Sequence, residues 1–249
     1  MPRNRRRIAA FGAALLLLFA GIATWAVARG QGDRPRLGLF TTLPILWHET
    51  ASIGEALDGE GPDHWARSAL AADFQLMPLD TLDPASLRSL DNLLMAQPRA
   101  LAPAENVALD DWVRGGGHLL LFADPFLTEH SRFAIGDRRR PQDIVLLSPI
   151  LRRWDLELTF DEGQSAAERA VAIGAASLPL HLAGALRPVA GGTARCAFEA
   201  NDAVAVCAIG KGRIVVVADA ALLDKARVDR PGEAALKHLN RIAFGADAG

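Results

Sequence analysis

Four short runs, 37–40 (LGLF), 93–96 (LLMA), 119–123 (LLLFA) and 214–218 (IVVVA), are apolar at nearly every position. Runs of this length cannot cross a membrane. They also lack the alternation of a strand with one wet face, so they read as strands buried on both faces. Helical patterns separate the first three, and strand–helix–strand alternation is the usual setting of a parallel sheet. Each run ends in polar or turn-forming residues: Thr41 and Thr42, Gln97-Pro98, Asp124-Pro125 and Asp219. In open α/β sheets ligands bind at the carboxyl ends of the strands. Thr41, Thr42, Gln97, Asp124 and Asp219 are therefore candidate ligand-binding residues on one crevice edge, although any such strand must also end in something that turns the chain.

The segment WVRGGGHLLLFADP (112–125) sets three glycines beside one of these strands. A phosphate-binding glycine loop follows a strand and opens a helix, so that helix N–H groups face the anion. Here the order is reversed. A helix over 103–114 closes on the glycines, which serve as a left-handed cap and a tight entry into the strand. On that helix Glu105, Asp110 and Asp111 are expected on the exposed surface. Asp83 before Pro84 marks the start of a short helix, and a final helix spans 232–244. The β-rich region after residue 155 is expected to add a meander to one α/β core.

The 249-residue chain has a net charge of −2 and half its residues are hydrophobic. Four of its basic residues, Arg3, Arg5, Arg6 and Arg7, precede an uncharged stretch, 8–28. That stretch is about 21 residues long, enough to span a bilayer as a helix, whereas a cleaved signal has an apolar core of about 7–15. Length favours a retained anchor; Ala26-Val27-Ala28 has the small residues of a cleavage site. The basic flank places residues 1–7 in the cytoplasm and exports the rest, with 29–35 as linker and 36–245 as the α/β domain. The acidic balance excludes nucleic acid as a partner.

Cys196 and Cys207 flank a hairpin turn centred on Asn201-Asp202. That turn sets them directly opposite across two strands, with Cα atoms about 4.5–5.5 Å apart, within disulfide range. An exported domain would sit where such a bond persists. Arg138, Arg139 and Arg140 form a candidate contact for an anion or partner, although Asp137 and Asp143 stand close enough to neutralise part of their charge. Asp124, Glu129 and His130 cluster in DPFLTEH, with no metal-ligand spacing, and read best as solvated loop residues. No metal or cofactor motif is present, and no serine stands in a nucleophile elbow.

The stretch LLMAQPRALAPAENVALDDWVRGGGHLLLFADP, followed later by GKGRIVVVADAALL and a terminal amphipathic helix, resembles the GldG-type auxiliary proteins of ABC transport systems. That resemblance implies a flavodoxin-like domain akin to the class I glutamine amidotransferases. It also implies an anchored location at the cytoplasmic membrane with the domain outside. An ATPase and a permease are the implied partners, and a glycan is a further implied ligand. In the amidotransferases the strand after the helix–glycine joint ends in a nucleophilic cysteine at a tight elbow. The corresponding turn here is Ala123-Asp124-Pro125, without cysteine, which implies recognition rather than catalysis. The alternative is a carbohydrate- or envelope-directed hydrolase pairing Asp124 with Glu129 or Asp219 as acid and base.

Overall fold

The structure, a computed structural model, describes residues 34–49, 63–192, 195–225, 227 and 230–245. The expected anchor at 8–28 lies outside them. Among the described residues no helix is long and apolar enough to cross a membrane.

The chain is a mixed α/β protein around a seven-stranded sheet. In chain order the elements are β1 (Arg36–Thr41), α1 (Trp65–Asp73), β2 (Gln75–Pro78), α2 (Pro84–Leu87), β3 (Asn92–Ala96), α3 (Pro103–Gly115), β4 (His118–Phe122), α4 (Ser148–Arg153) and β5 (Leu156–Thr159). There follow β6 (Arg169–Ile173), β7 (Ala176–Leu180), β8 (Ala185–Pro188), β9 (Arg195–Glu199), β10 (Val204–Ile209), β11 (Gly212–Val217) and α5 (Arg230–Phe244). The strand order is β2-β1-β3-β4-β11-β10-β9. The first five run parallel, and β10 and β9 are antiparallel additions. The four uniformly apolar runs 37–40, 93–96, 119–123 and 214–218 therefore form the parallel centre, with β3 buried at every position. The extra strands do not make one meander. β9 and β10 extend the main sheet, while β5–β8 and β6–β7 are separate two-stranded ladders.

Apolar residues cover both faces of the sheet. One face packs Leu37, Leu94, Leu120 and Val215 against α1, α5 and the β6–β7 hairpin. The other packs Leu93, Leu119, Leu121 and Val216 against α3, α4 and the β5–β8 ladder. These alternate sides of the same strands are why each run had to be apolar throughout.

Local sequence accounts for the element ends. Asp83 accepts from the N–H groups of Ala85 and Ser86 at the start of α2. Gly116, at φ 126°, caps α3, and the Gly117 N–H donates to the Trp112 carbonyl. A Cβ on Gly117 would lie 2.4 Å from the Trp112 ring. The turn at Gly210–Gly212 packs onto this joint: a Cβ on Gly212 would lie 2.1 Å from the Val113 carbonyl oxygen. The glycine triplet is thus a helix-to-strand joint.

Two acidic residues of α3 are buried, contrary to the surface position expected of them. The carboxylate of Asp110 accepts from Arg114 Nε at 2.9 Å, from Arg153 at 2.7 and 3.0 Å, and from the Trp154 indole at 3.0 Å. It ties α3 to α4 and supplies the acceptor that a buried indole needs. Hydrogen bonds from Arg153 and Arg114 outweigh burial and hold it below the usual range. Glu105 takes both nitrogens of Arg99 and the N–H groups of Ala102 and Leu82. The Arg99 pair above all brings it down to about 2.

Cys196 and Cys207 occupy paired positions on β9 and β10, with Cα atoms 4.1 Å apart, and their sulfurs are bonded. The turn between the strands is Ala200–Ala203, with Ala200, Asn201 and Asp202 all at positive φ. Closing a loop this short stabilises by about 2–3 kcal/mol through the unfolded chain. The Cys196→Ser, Cys207→Ser double variant should lose about that much in urea unfolding while keeping its circular dichroism spectrum. An unchanged midpoint would mean that the bond contributes nothing net.

Candidate functional site

The ends of β1, β3, β4 and β11 lie along one edge of the parallel sheet. The strand order reverses between β1 and β3, and at such a switch point the outgoing loops part and leave a crevice. Gln97 stands there, fully buried, at φ 44°. Among the ends of these four strands it is the one residue in the left-handed region. A non-glycine residue in that region costs about 1–3 kcal/mol and persists only where its surroundings hold it.

The surroundings of Gln97 are fully engaged. Its N–H donates to the Phe122 carbonyl at 2.9 Å, and its carbonyl accepts from the Thr42 hydroxyl at 2.5 Å. Its Oε1 accepts from the Asp124 N–H at 2.9 Å. Its Nε2 donates to the carbonyls of Asp124 at 3.0 Å and Gln142 at 2.8 Å. The Gln142 N–H in turn donates to the Thr42 hydroxyl at 3.1 Å. The long loop after β4 is thus folded back over the crevice and bonded into it.

Asp124 and Asp219 extend this cluster. One oxygen of Asp124 accepts from Phe126 N–H at 2.8 Å and the other from Ala220 N–H at 3.1 Å. Asp219 accepts from Ala221 and His181 N–H groups, both at 2.6 Å. Burial pushes both carboxyls up, and for Asp219 the nearby charge of Asp124 adds to it. Of the five expected ligand residues the structure brings together Thr42, Gln97, Asp124 and Asp219. Thr41 instead closes a local turn, its hydroxyl accepting from the Leu43 N–H.

A second cluster on the same edge was not legible as a site. Glu49, after β1, accepts from the Ser131 hydroxyl at 2.6 Å and the Arg132 N–H at 3.2 Å. Lys225, after β11, reaches Glu49 at 3.3 Å, the His130 carbonyl at 3.0 Å and Glu129 at 3.9 Å. Burial would raise Glu49, but the bonds from Ser131, Arg132 and Lys225 together hold it low. Glu129 is pushed up to about 7, first by burial, then by the charge of Asp224, with Glu49 adding to it against Lys225. Its side chain is 7% exposed, so it is no solvated loop residue. The His130 side chain remains on the surface. His181 links the loops further: its Nδ1 lies 3.0 Å from the Thr128 hydroxyl and its Nε2 2.9 Å from the Ala166 carbonyl. Since a carbonyl only accepts, Nε2 carries the hydrogen.

The arginine triplet stands apart. Arg139 pairs with Asp137 at 2.7 Å and lies over the Phe133 ring at 4.2 Å. Arg140 pairs with Asp143 at 2.7 Å and donates to the Phe133 carbonyl. Arg138 is exposed. Two of the three charges are thus neutralised within the loop that carries them. No group of three or more His, Cys, Asp or Glu side chains among the described residues could hold a metal ion.

The left-handed turn at Gln97 lies after β3 and ahead of α3, and the turn Ala123-Asp124-Pro125 after β4 holds no residue at positive φ. At the place of strain stands an amide whose nitrogen and oxygen are both engaged. It has no nucleophilic atom to offer.

Residues 64–238 match the family described as a domain of unknown function, DUF4350, and the chain belongs to that family. No curated protein sequence matches it. Among solved structures it is similar to an exo-β-1,4-mannosidase from Opitutaceae bacterium strain TAV5, at 14% identity and a TM-score of 0.45 over 84% of this chain and 34% of that one. A β-galactosidase from Rahnella sp. R3 gives 14% and 0.47, over 84% of this chain and 31% of that one. A ThuA-like protein from Bacteroides uniformis gives 12% and 0.47, over 84% and 92%. The chain spans about a third of the length of the two glycosidases. Similarity this low assigns it no activity.

Two outcomes test this geometry. Gln97→Ala leaves the Asp124 N–H and the Gln142 carbonyl without their buried partner. It should cost about 2–4 kcal/mol, since each orphaned group costs about 1–3 and the left-handed backbone remains. A loss under about 1 kcal/mol in denaturant unfolding would show the crevice to be solvated. The second concerns Glu129. Its folded pKa is raised above the unfolded value, so the folded state binds the extra proton and stability falls as pH rises from about 4.5 to about 7. Glu129→Gln should match the parent at pH 4.5 and exceed it by on the order of 1–3 kcal/mol at pH 8. Equal stabilities across that range would place Glu129 in water.

Proposed function

We propose that the protein is a non-catalytic recognition subunit, tethered by residues 8–28 to the cytoplasmic membrane with its α/β domain on the far side, and that it accompanies the ATPase and permease of an ABC-type transport system. The GldG-type resemblance supports the transport role. The strand order β2-β1-β3-β4-β11 in parallel supports a flavodoxin-like domain of the amidotransferase kind, because it is the 2-1-3-4-5 order of that fold. One observation carries the absence of catalysis: the strained turn at the switch point bears Gln97, every polar atom of which is bonded within the protein.

A hydrolytic reading with Glu129 as general acid has one observation in its favour. Its carboxyl is raised to about 7, where an acid catalyst works best at neutral pH. Against it, each oxygen of Asp124 and of Asp219 accepts a backbone N–H, so both carboxyls are engaged in holding loops together.

Purification of the full-length, C-terminally tagged protein from its native membranes in mild detergent should bring down an ABC ATPase and permease, identified by mass spectrometry. Recovery of the folded, membrane-bound protein alone would count against the transport role. Chromogenic glycosides and acyl esters should show no turnover. Turnover that disappears in Glu129→Gln would establish the hydrolytic reading instead.

A further inference from the structure

The main sheet has two edges, and the sequence treats them differently. At one edge the N–H groups of Gln75 and Leu79 donate inward, to the carbonyls of Pro35 and Leu39. The alternate positions of β2 face outward, and one of them is Pro78, which has no N–H to offer a further strand. The other edge is β9, Arg195-Cys196-Ala197-Phe198-Glu199, without proline. Among the described residues its ladder partner is β10 alone. Cys196 and Phe198 are half-buried against the core on one face, whereas Arg195, Ala197 and Glu199 are exposed on the other. Neither Arg195 nor Glu199 has an ion pair among the described residues.

Which groups β9 turns outward follows from its pairing with β10. Opposed residues of an antiparallel pair alternate between hydrogen-bonded pairs, with Cα atoms about 5.5 Å apart, and non-hydrogen-bonded pairs at about 4.5 Å. Cys196 and Cys207 stand 4.1 Å apart, a pair of the second kind. The N–H and C=O groups of Cys196, and by the same alternation those of Phe198, therefore point away from β10 to the open edge. An antiparallel copy of the strand, added there about a two-fold axis at Ala197, sets Cys196 and Phe198 opposite Phe198 and Cys196 of the second copy, with their outward groups bonded across the axis. The same register sets Arg195 opposite Glu199, and Glu199 opposite Arg195. Ala197, the one side chain that meets its own copy, is small. Moving the axis by one residue either way parts both charge pairs. A two-fold interface must be self-complementary in this sense, and opposite charges directly across two strands favour the pairing while like charges oppose it.

We infer that the open edge of β9 binds β9 of a second copy of this chain, antiparallel and in register about Ala197, so that the two main sheets become one continuous sheet. This does not depend on the transport role. An unrelated extended chain could meet the backbone groups, but the strand's own sequence also meets both of its charges. Five residues a side is a small contact, of the weak and reversible class.

The test mixes donor- and acceptor-labelled full-length protein in mild detergent, where energy transfer should rise with concentration. Arg195→Glu and Glu199→Arg should each weaken self-association by about tenfold or more, because each sets like charges opposite one another twice. An equimolar mixture of the two variants should recover it, since every acidic position of one copy then meets a basic position of the other. The variant carrying both substitutions should match the parent. Both positions are exposed, and matching melting curves would show that the fold is kept. Ala197→Cys should give a cross-linked dimer on oxidation, whereas Ala170→Cys, equally exposed on β6, should not. A protein that stays monomeric at every concentration, single variants that associate as the parent does, or a mixture that fails to recover would overturn the inference. So would equal cross-linking from Ala170→Cys.

Discussion

A single buried amide holds the carboxyl edge of this sheet together. Gln97 can offer one backbone donor, one backbone acceptor, two side-chain donors and a side-chain acceptor, and the structure uses all of them, across the loops after β1, β3 and β4. Such saturation is what lets a non-glycine residue stay in a left-handed turn. The rest of the edge follows from it. Because the Gln142 carbonyl is drawn onto Gln97, the loop from Pro125 to Leu147 lies back across the sheet instead of extending into water. The return of that loop sets Phe126 and Ile144 beside β5, and its other limb carries Glu129 under Lys225.

The buried acids of this fold meet charge in two ways. Near the amino ends of β3 and β4, where α3 closes on its glycines, Asp110 is surrounded by two guanidinium groups and an indole. An ionised carboxylate is the favoured form there. At the carboxyl ends, Asp124, Asp219 and Glu129 are met mainly by backbone N–H groups and one lysine, and burial lifts all three. A carboxyl that must be buried ionised weakens the fold unless something compensates it. The sheet therefore concentrates its electrostatic cost at one end, the end where loops of α/β proteins ordinarily do their work.

What the sequence made legible was local. Uniformly apolar runs identified β3, β4 and β11, the order helix–glycine–strand identified the joint at Gly115–Gly117, and a symmetric turn placed Cys196 opposite Cys207. What escaped depended on partners far along the chain. Asp110 looked like a surface acid because Arg153 and Trp154 lie 43 and 44 residues away. Glu129 looked solvated because nothing near it in sequence announces Glu49 or Lys225. The separation of β5–β8 and β6–β7 from the main sheet was equally hidden, since period-2 patterns do not name a strand's neighbour. Gln97 was half legible: its place at a strand end could be read, its backbone conformation could not, because glutamine has no preference for positive φ.

The position of β1 has one last consequence, a mechanical one. The first described strand is not an edge strand; β2 flanks it on one side and β3 on the other, both parallel to it. Tension applied to the segment ahead of Arg36 would act along the axis of β1 and load both ladders in shear at once. An edge strand pulled the same way would share the load with one ladder alone. Two ladders in parallel would have to yield together before β1 left the sheet.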